Sequence, residues 1–267
     1  MKELNLHPKQ LRGKSGTHFL IRPSITARMV KESGITQQSE VLEIGGGFGI
    51  LSMAILQHTR NLTIIEKNEK FIPILEEKAK GAEIILGDAL KITWPSATHF
   101  ISNLPYSVGS NILVRAMNQS FNSIVVMLQK EVVDRIVAKP GSKAYGRLSV
   151  ITRFHGEPKK IMDVPPEAFI PEPKVHSSVL KIIPHEKRSI VTKDFELLAK
   201  NLFTLKNRTV RKVVRGYLKR NNEKEIWEQV PYKDMRVFQL DVPHLIDILE
   251  FLKSENAFPL AKGGKTK

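Results

Sequence analysis

"VLEIGGGFGILS", residues 41–52, decides how the rest of the chain is read. A short run of strand character meets three consecutive glycines, and an apolar segment with helical spacing follows. A strand turning through glycine into a helix is the first half of a βαβ unit. Glycine allows the sharp turn and lets a ligand come close to the backbone. The dinucleotide fingerprint G-x-G-x-x-G does not fit. Counted from Gly45 and Gly47 its third glycine falls on Ile50; counted from Gly47 and Gly49 it falls on Ser52. What remains is E-x-G-x-G, made by Glu43, Gly45 and Gly47.

Outward from this loop the alternation continues. "NLTIIE" (61–66), "AEIILGD" (82–88), "HFISN" (99–103) and "NSIVVMLQ" (122–129) read as strands, and "EKFIPILEEKAK" (69–80) reads as a helix with Pro73 in its first turn or at a kink. Helix-like "KEVVDRIVA" follows the last of these strands. Such alternation predicts an α/β fold with a mostly parallel sheet, whose ligands bind beyond the carboxyl ends of the strands. "SSVLKII" is expected to return antiparallel at the sheet edge.

The E-x-G-x-G loop suits S-adenosylmethionine (SAM), a nucleoside cofactor without a pyrophosphate. Glu66 closes the second strand 21 residues after Gly45, where an acid can accept hydrogen bonds from ribose hydroxyls. Asp88 closes the third, where it can accept from an adenine amino group. Singly, each reads more simply as a solvated strand-end carboxylate; together, in this order, they favour such a cofactor. The fourth strand stops at Asn103 and is followed by Leu104, Pro105 and Tyr106. Proline cannot continue a central strand. The Asn103 side-chain oxygen and the Leu104 carbonyl can each accept one N–H of an exocyclic amine, and Tyr106 offers a ring for a base to stack on. An N-capping Asn and a packed Tyr are the plainer alternative.

Composition bounds the rest. The 267 residues suggest one large domain or a large and a small one. There is no cysteine, which excludes disulfides, thiolate–zinc sites and cysteine nucleophiles. The eight histidines have no ligand spacing, so no metal is expected. No apolar run approaches the ~20 residues of a membrane span, and no secretory h-region is visible, so a cytoplasmic protein is expected. The net charge is +15, which favours a polyanionic partner. Residues 1–186 carry 24 Lys/Arg against 17 Asp/Glu, whereas 187–267 carry 18 against 10. From about 190 the pattern turns helical: Phe195, Leu198, Leu202 and Leu205 share one stripe, Val210, Val213, Val214 and Tyr217 another, and Pro243 suits the first turn of a third helix. Two domains are expected, 1–187 and 188–267, the second ending in a disordered tail, "AKGGKTK". Lys200 to Arg220 holds eight basic residues and no acidic one. Arg208, Arg211, Lys212, Arg215 and Lys219 lie mostly off the apolar stripe, where they can track phosphates or simply face solvent.

The pieces "GTHFLIRPSI", "VLEIGGGFGILS", "TIIEKN", "LGDAL", "SNLPYSVGSNIL" and "FIPEPKVHSSVLKI" occur in the order of a known family. Over about residues 10–220 the chain resembles the KsgA-type ribosomal RNA small-subunit adenine N6,N6-dimethyltransferases. The resemblance implies a class I SAM-dependent methyltransferase domain with a seven-stranded sheet and a small helical C-terminal domain. It implies a monomer acting on small-subunit ribosomal RNA or the pre-ribosomal small subunit, at two adjacent adenosines of a 3′-terminal hairpin. It implies that His18 and Leu20 contact SAM alongside Gly45, Glu66, Asp88 and Asn103, and that Phe169 faces Tyr106 across an extruded adenine. Thr17 stands where the family usually has Gln, and Gly46 where it usually has Pro. A resistance methylase of the large subunit and an RNA-binding assembly or transcription factor with lapsed chemistry are the competing readings. The basic region after 187 weighs against the first, and intact Glu66, Asp88 and Asn103 against the second.

Overall fold

The structure, a computed structural model, describes residues 18–185, 192–218 and 224–259. Its elements begin β1 (Phe19–Leu20), α1 (Pro23–Ser33), β2 (Val41–Ile44), α2 (Ile50–Leu56), β3 (Leu62–Glu66), α3 (Ile72–Lys78) and β4 (Glu83–Leu86). There follow β5 (His99–Asn103), α4 (Gly109–Met117), β6 (Ser123–Gln129), α5 (Lys130–Val137), α6 (Arg147–His155), β7 (Gly156–Val164), β8 (Phe169–Ile170) and β9 (Ser177–Pro184). Pro73 falls in the first turn of α3, which a 3-10 turn over Glu69–Phe71 precedes.

Seven strands form one sheet in the order β4-β3-β2-β5-β6-β9-β7. The first five are parallel, and β9 runs antiparallel to both of its neighbours. β2 and most of β6 are buried, as continuous apolar runs between two helical layers must be. The antiparallel return differs from expectation in one respect: β9 lies inside the sheet and β7 is the edge. The chemistry of the two strands explains this. β9 buries Val179, Leu180 and Ile182, whereas β7 carries Pro158, which has no N–H for a second neighbour.

The chain leaves β2 toward β3 and β4, then crosses back to β5, so strand order reverses between β2 and β5. Backbone pairing there is brief, Val41 with His99 and Leu42 with Phe100. Beyond it the Ser102 hydroxyl donates to the Ile44 carbonyl at 2.7 Å. A side chain thus takes up the acceptor where the ladder has ended, at the crevice in which such sheets hold ligands. A small second sheet pairs β1 with β8, setting Leu20 opposite Phe169.

The described residues divide into two compact units, one of residues up to Val133 with Gly156–Pro184, the other of Asp134–His155 with residues from His185 onward. The second unit holds α6 together with α7 (Thr192–Phe203), α8 (Val210–Tyr217), α9 (Lys224–Gln229) and α10 (Val242–Ser254). The boundary expected at 187/188 lies outside the described residues, as do Thr17, Lys219 and the tail. The stretch 134–155, grouped by sequence with the sheet, goes with the helices because the Phe154 ring stacks on Phe195 of α7 at 3.9 Å. Phe195, Leu198 and Leu202 are buried as the stripe requires, and so are Val210, Val213 and Val214. Leu205 is not; α7 ends at Phe203, and Leu205 is half exposed beyond it.

Candidate active site

The crevice at the strand reversal is a cavity lined by His18, Phe19, Leu20, Glu43, Gly45, Gly46, Gly47, Phe48, Glu66, Asn68, Phe71, Asn103, Leu104, Pro105 and Tyr106, among others. Residues singled out from sequence therefore meet in one place: His18, Leu20, Glu43, Gly45, Gly47, Glu66, Asn103, Leu104, Pro105 and Tyr106.

The glycine loop is held by Glu66. Its Oε2 accepts the Gly47 N–H at 3.1 Å, and its Oε1 accepts the Asn68 N–H at 2.8 Å. An ionised carboxylate has about four lone-pair sites, so acceptor capacity remains for the cavity that Glu66 lines. Gly47 has φ 55, and a Cβ there would meet the Phe19 ring at 3.3 Å. At Gly46 a Cβ would meet Ile64 at 2.8 Å and Leu75 at 2.9 Å. The departure from the family's Pro is thus matched by close side-chain packing at this position.

Glu43 lies deeper, only 1% exposed, and its Oε2 accepts from the Ser52 hydroxyl at 2.6 Å. Burial pushes its carboxyl up from 4.5 to about 8; the Ser52 hydrogen bond opposes this and nearby Glu66 adds to it. At neutral pH Glu43 is mostly a neutral acid on the cavity wall.

The other rim is the turn after β5. The Leu104 N–H donates to the Met127 carbonyl at 3.1 Å, which fixes the turn to β6. Among the described residues no donor reaches the Asn103 carboxamide oxygen or the Leu104 carbonyl. Asn103 is half-buried, so its acceptor is open to solvent or to a ligand in the cavity that both residues line. Tyr106 follows, its hydroxyl 2.5 Å from that of Ser177. Its ring lies 5.4 Å from that of His18, tilted by 33°. His18 in turn is hydrogen-bonded through Nδ1 to the Pro171 carbonyl at 2.8 Å.

Two expected site residues stand apart from the cavity lining. Asp88 lies two residues beyond the end of β4; its Oδ1 accepts the Leu90 N–H at 2.9 Å and its Oδ2 pairs with Lys67 at 3.0 Å. The Leu90 N–H foremost, and Lys67 after it, hold this carboxyl below its usual range. Phe169 is 1% exposed and packs in the core with Leu20, Val164 and Ala168. The ring beside Tyr106 is that of His18, and Phe169 sits one strand away, on β8. Conversely, sequence reasoning missed an aromatic wall. Phe19, Phe48 and Phe71 meet edge to face at 4.4–5.3 Å, and Phe19 and Phe71 come from segments far apart in the chain. Phe48, an aromatic inside "GGGFG", was the available signal.

In the helical unit Thr209 caps α8 by accepting the Lys212 N–H. Arg208 precedes the helix; Arg208, Lys212 and Arg215 are exposed. The Arg215 guanidinium lies 5.7 Å from the Trp227 ring centroid. Arg211 is committed elsewhere, to Glu228 at 3.1 Å and to Asp234.

This parallel sheet with its strand reversal, its glycine loop after β2 and its acid closing β3 make the chain a class I SAM-dependent methyltransferase by fold. A solved dimethyladenosine transferase from Plasmodium falciparum shares that fold, with a TM-score of 0.79 at 22% identity over 89% of this chain and 98% of the other. The sequence model of the ribosomal RNA adenine dimethylase family matches residues 9–253, and the chain belongs to that family. It is 33% identical to a protein of Thermococcus kodakarensis named probable ribosomal RNA small subunit methyltransferase A, over 94% of this chain and 92% of that protein. It is 35% identical to a Pyrococcus furiosus protein of the same name, over 91% and 92%.

Proposed function

We propose that the protein dimethylates, with methyl groups from SAM, the N6 amine of each of two adjacent adenosines in the 3′-terminal hairpin of small-subunit ribosomal RNA. It does so as a monomer in the cytoplasm, on the pre-ribosomal small subunit. The observation that carries this reading is the pair of unpaired acceptors, the Asn103 carboxamide oxygen and the Leu104 carbonyl, on the rim of the cavity that Glu66 and the glycine loop complete.

The cavity fits the cofactor. Glu66 has acceptor sites for ribose hydroxyls, and the Phe19–Phe48–Phe71 wall offers apolar surface. When bound, SAM supplies a methyl already activated on a sulfonium. A nitrogen that has taken a methyl cation becomes acidic and releases its proton to water, so the protein needs no strong base, and its work is placement. Asn103 and Leu104 each accept one N–H of the target amine. This turns the nitrogen lone pair away from both acceptors and favours the tetrahedral geometry of the methylated nitrogen. Tyr106 presents a ring to a base that has left its stack, the way enzymes reach atoms inside structured nucleic acid. Exposed Arg208, Lys212 and Arg215 supply phosphate contacts.

The test is transfer of labelled methyl from SAM to small and large ribosomal subunits that lack the modification. Label in two adjacent small-subunit adenosines is expected. Label in the large subunit alone would assign the enzyme to resistance methylation, and label in neither would make it a binding factor.

A further inference from the structure

The hydrogen bond between Tyr106 and Ser177 joins residues 71 positions apart and is the one polar contact of the Tyr106 side chain among the described residues. The two partners differ in rigidity. Tyr106 lies in a turn outside any strand or helix, held by the Leu104 N–H on the Met127 carbonyl at 3.1 Å and the Val108 N–H on the Pro105 carbonyl at 3.2 Å. Ser177 is fully buried at the start of β9, paired across to Gln129 of β6 on one side and Val164 of β7 on the other. The next residue is pinned as well: the Ser178 hydroxyl donates to Asp163 at 2.6 Å, and Asp163 also pairs with Lys130 at 3.1 Å and Lys160 at 2.6 Å. One end of the phenol is thus tied to a buried strand paired on both sides, and the ring it carries borders the cavity.

We propose that Ser177 is a positioning residue for methyl transfer, anchoring the Tyr106 hydroxyl so that the ring is set in plane before a base arrives. This rests on the functional reading above. A tyrosine has two side-chain torsions to settle, and a platform that reorients on each encounter stacks a base less well than one already fixed. The bond also engages the one polar group of the ring. Burial, opposed by the Ser177 contact, pushes the phenol above its usual range, so Tyr106 stays neutral across physiological pH. Within "FIPEPKVHSSVLKI", Ser177 thereby gains a physical role.

The experiment compares Ser177→Ala, Tyr106→Phe and the double variant in single-turnover methylation of unmodified small subunits, with SAM affinity measured by calorimetry. Docking of the subunit depends on phosphate contacts elsewhere, so the subunit concentration at half-maximal rate is expected to hold. The saturating rate is expected to fall about fivefold in each single variant, the worth of one ordinary hydrogen bond. The double variant is expected to be no slower than the singles, because both remove the same bond. SAM affinity is expected to match the parent, which a general loss of structure would not allow. Multiplying effects in the double variant, or parental rates in Tyr106→Phe, would overturn the assignment. If Ser177→Ala does not fold, Tyr106→Phe breaks the same bond while keeping the ring, and its rate alone decides. A parent that methylates neither subunit defeats the functional reading and this assignment together; a methylating parent matched by its variants defeats only the role of Ser177.

Discussion

At the crevice above β2 and β5, Asn103 and Leu104 keep their acceptors uncommitted among the described residues; on α8, Arg211 has already spent its charge on Glu228 and Asp234. The two regions carry the chemistry and the charge of the same proposed reaction, yet they were built differently. The crevice groups come from short contiguous motifs at strand ends, where the backbone itself dictates direction. The charges of the helical unit sit on long side chains free to choose partners. Lys206 donates to the Lys143 and Tyr145 carbonyls, and Arg236 to that of Asn207. A count of basic residues therefore overstates the charge available to a polyanion, whereas the uncommitted acceptors of the crevice are available in full.

The largest expected effect tests the crevice. Asn103→Ala removes one acceptor for the amine and should lower the saturating methylation rate by about 10²-fold or more, the loss seen when one preorganised polar group is deleted. SAM affinity by calorimetry should fall far less than the rate does. Glu66→Ala should do the reverse, weakening SAM by roughly 1–3 kcal/mol. If the two variants were to lose affinity and rate alike, the division of the cavity into an amine side and a cofactor side would be wrong.

The same contrast governs what could be read in advance. The βαβ alternation, the glycine loop and the Asn-Leu-Pro-Tyr turn are local patterns, and Gly45, Gly47, Asn103, Leu104, Pro105 and Tyr106 from them share one cavity with Glu66. What escaped depends on partners distant in sequence. Phe169 is as apolar as any core residue, and only the pairing of β1 with β8 shows where it goes. The inner place of β9 depends on its pairing with β7, a strand whose Pro158 suits an edge. Residues 134–155 continue the helical pattern of the sheet domain and change units through the stacking of Phe154 on Phe195. Arg211 looks like its neighbours on α8 until Glu228 and Asp234 are found beside it.

A second prediction uses the one acid in the crevice wall that burial keeps neutral. Glu43 titrates near 8 in the folded chain, against 4.5 without burial. Between these values the folded state holds a proton that the unfolded state has lost. The stability this proton linkage contributes is complete below 4.5 and is lost as pH rises to about 8. One proton gives a slope of at most about 1.4 kcal/mol per pH unit, or tenfold in the folding constant. Urea unfolding from pH 5 to pH 8.5 should show stability declining, and Glu43→Gln should flatten the decline. A parental slope in that variant would place the titration on another group.

The smallest effects separate the charges of the helical unit from one another. Each phosphate contact contributes a slope of about 0.9 in log affinity against log salt, roughly threefold for a fourfold rise in salt. Arg208, Lys212 and Arg215 are exposed, so replacing all three by Gln should make the salt dependence of RNA binding shallower by up to about three units. Cofactor affinity should not move, because none of the three lines the SAM cavity. Arg211→Gln should behave differently. Its guanidinium bridges α8 to Glu228 of α9 and to Asp234, and those carboxylates hold its proton more firmly than usual, the Asp234 hydrogen bond most of all. Removing it leaves two acids short of a partner, although Lys233 still lies 3.8 Å from Glu228. The variant should unfold at lower denaturant while its salt slope stays parental. A slope reduced as much by Arg211→Gln as by any exposed neighbour would mean that RNA draws Arg211 out of its ion pairs, and that the helical unit releases charge on binding.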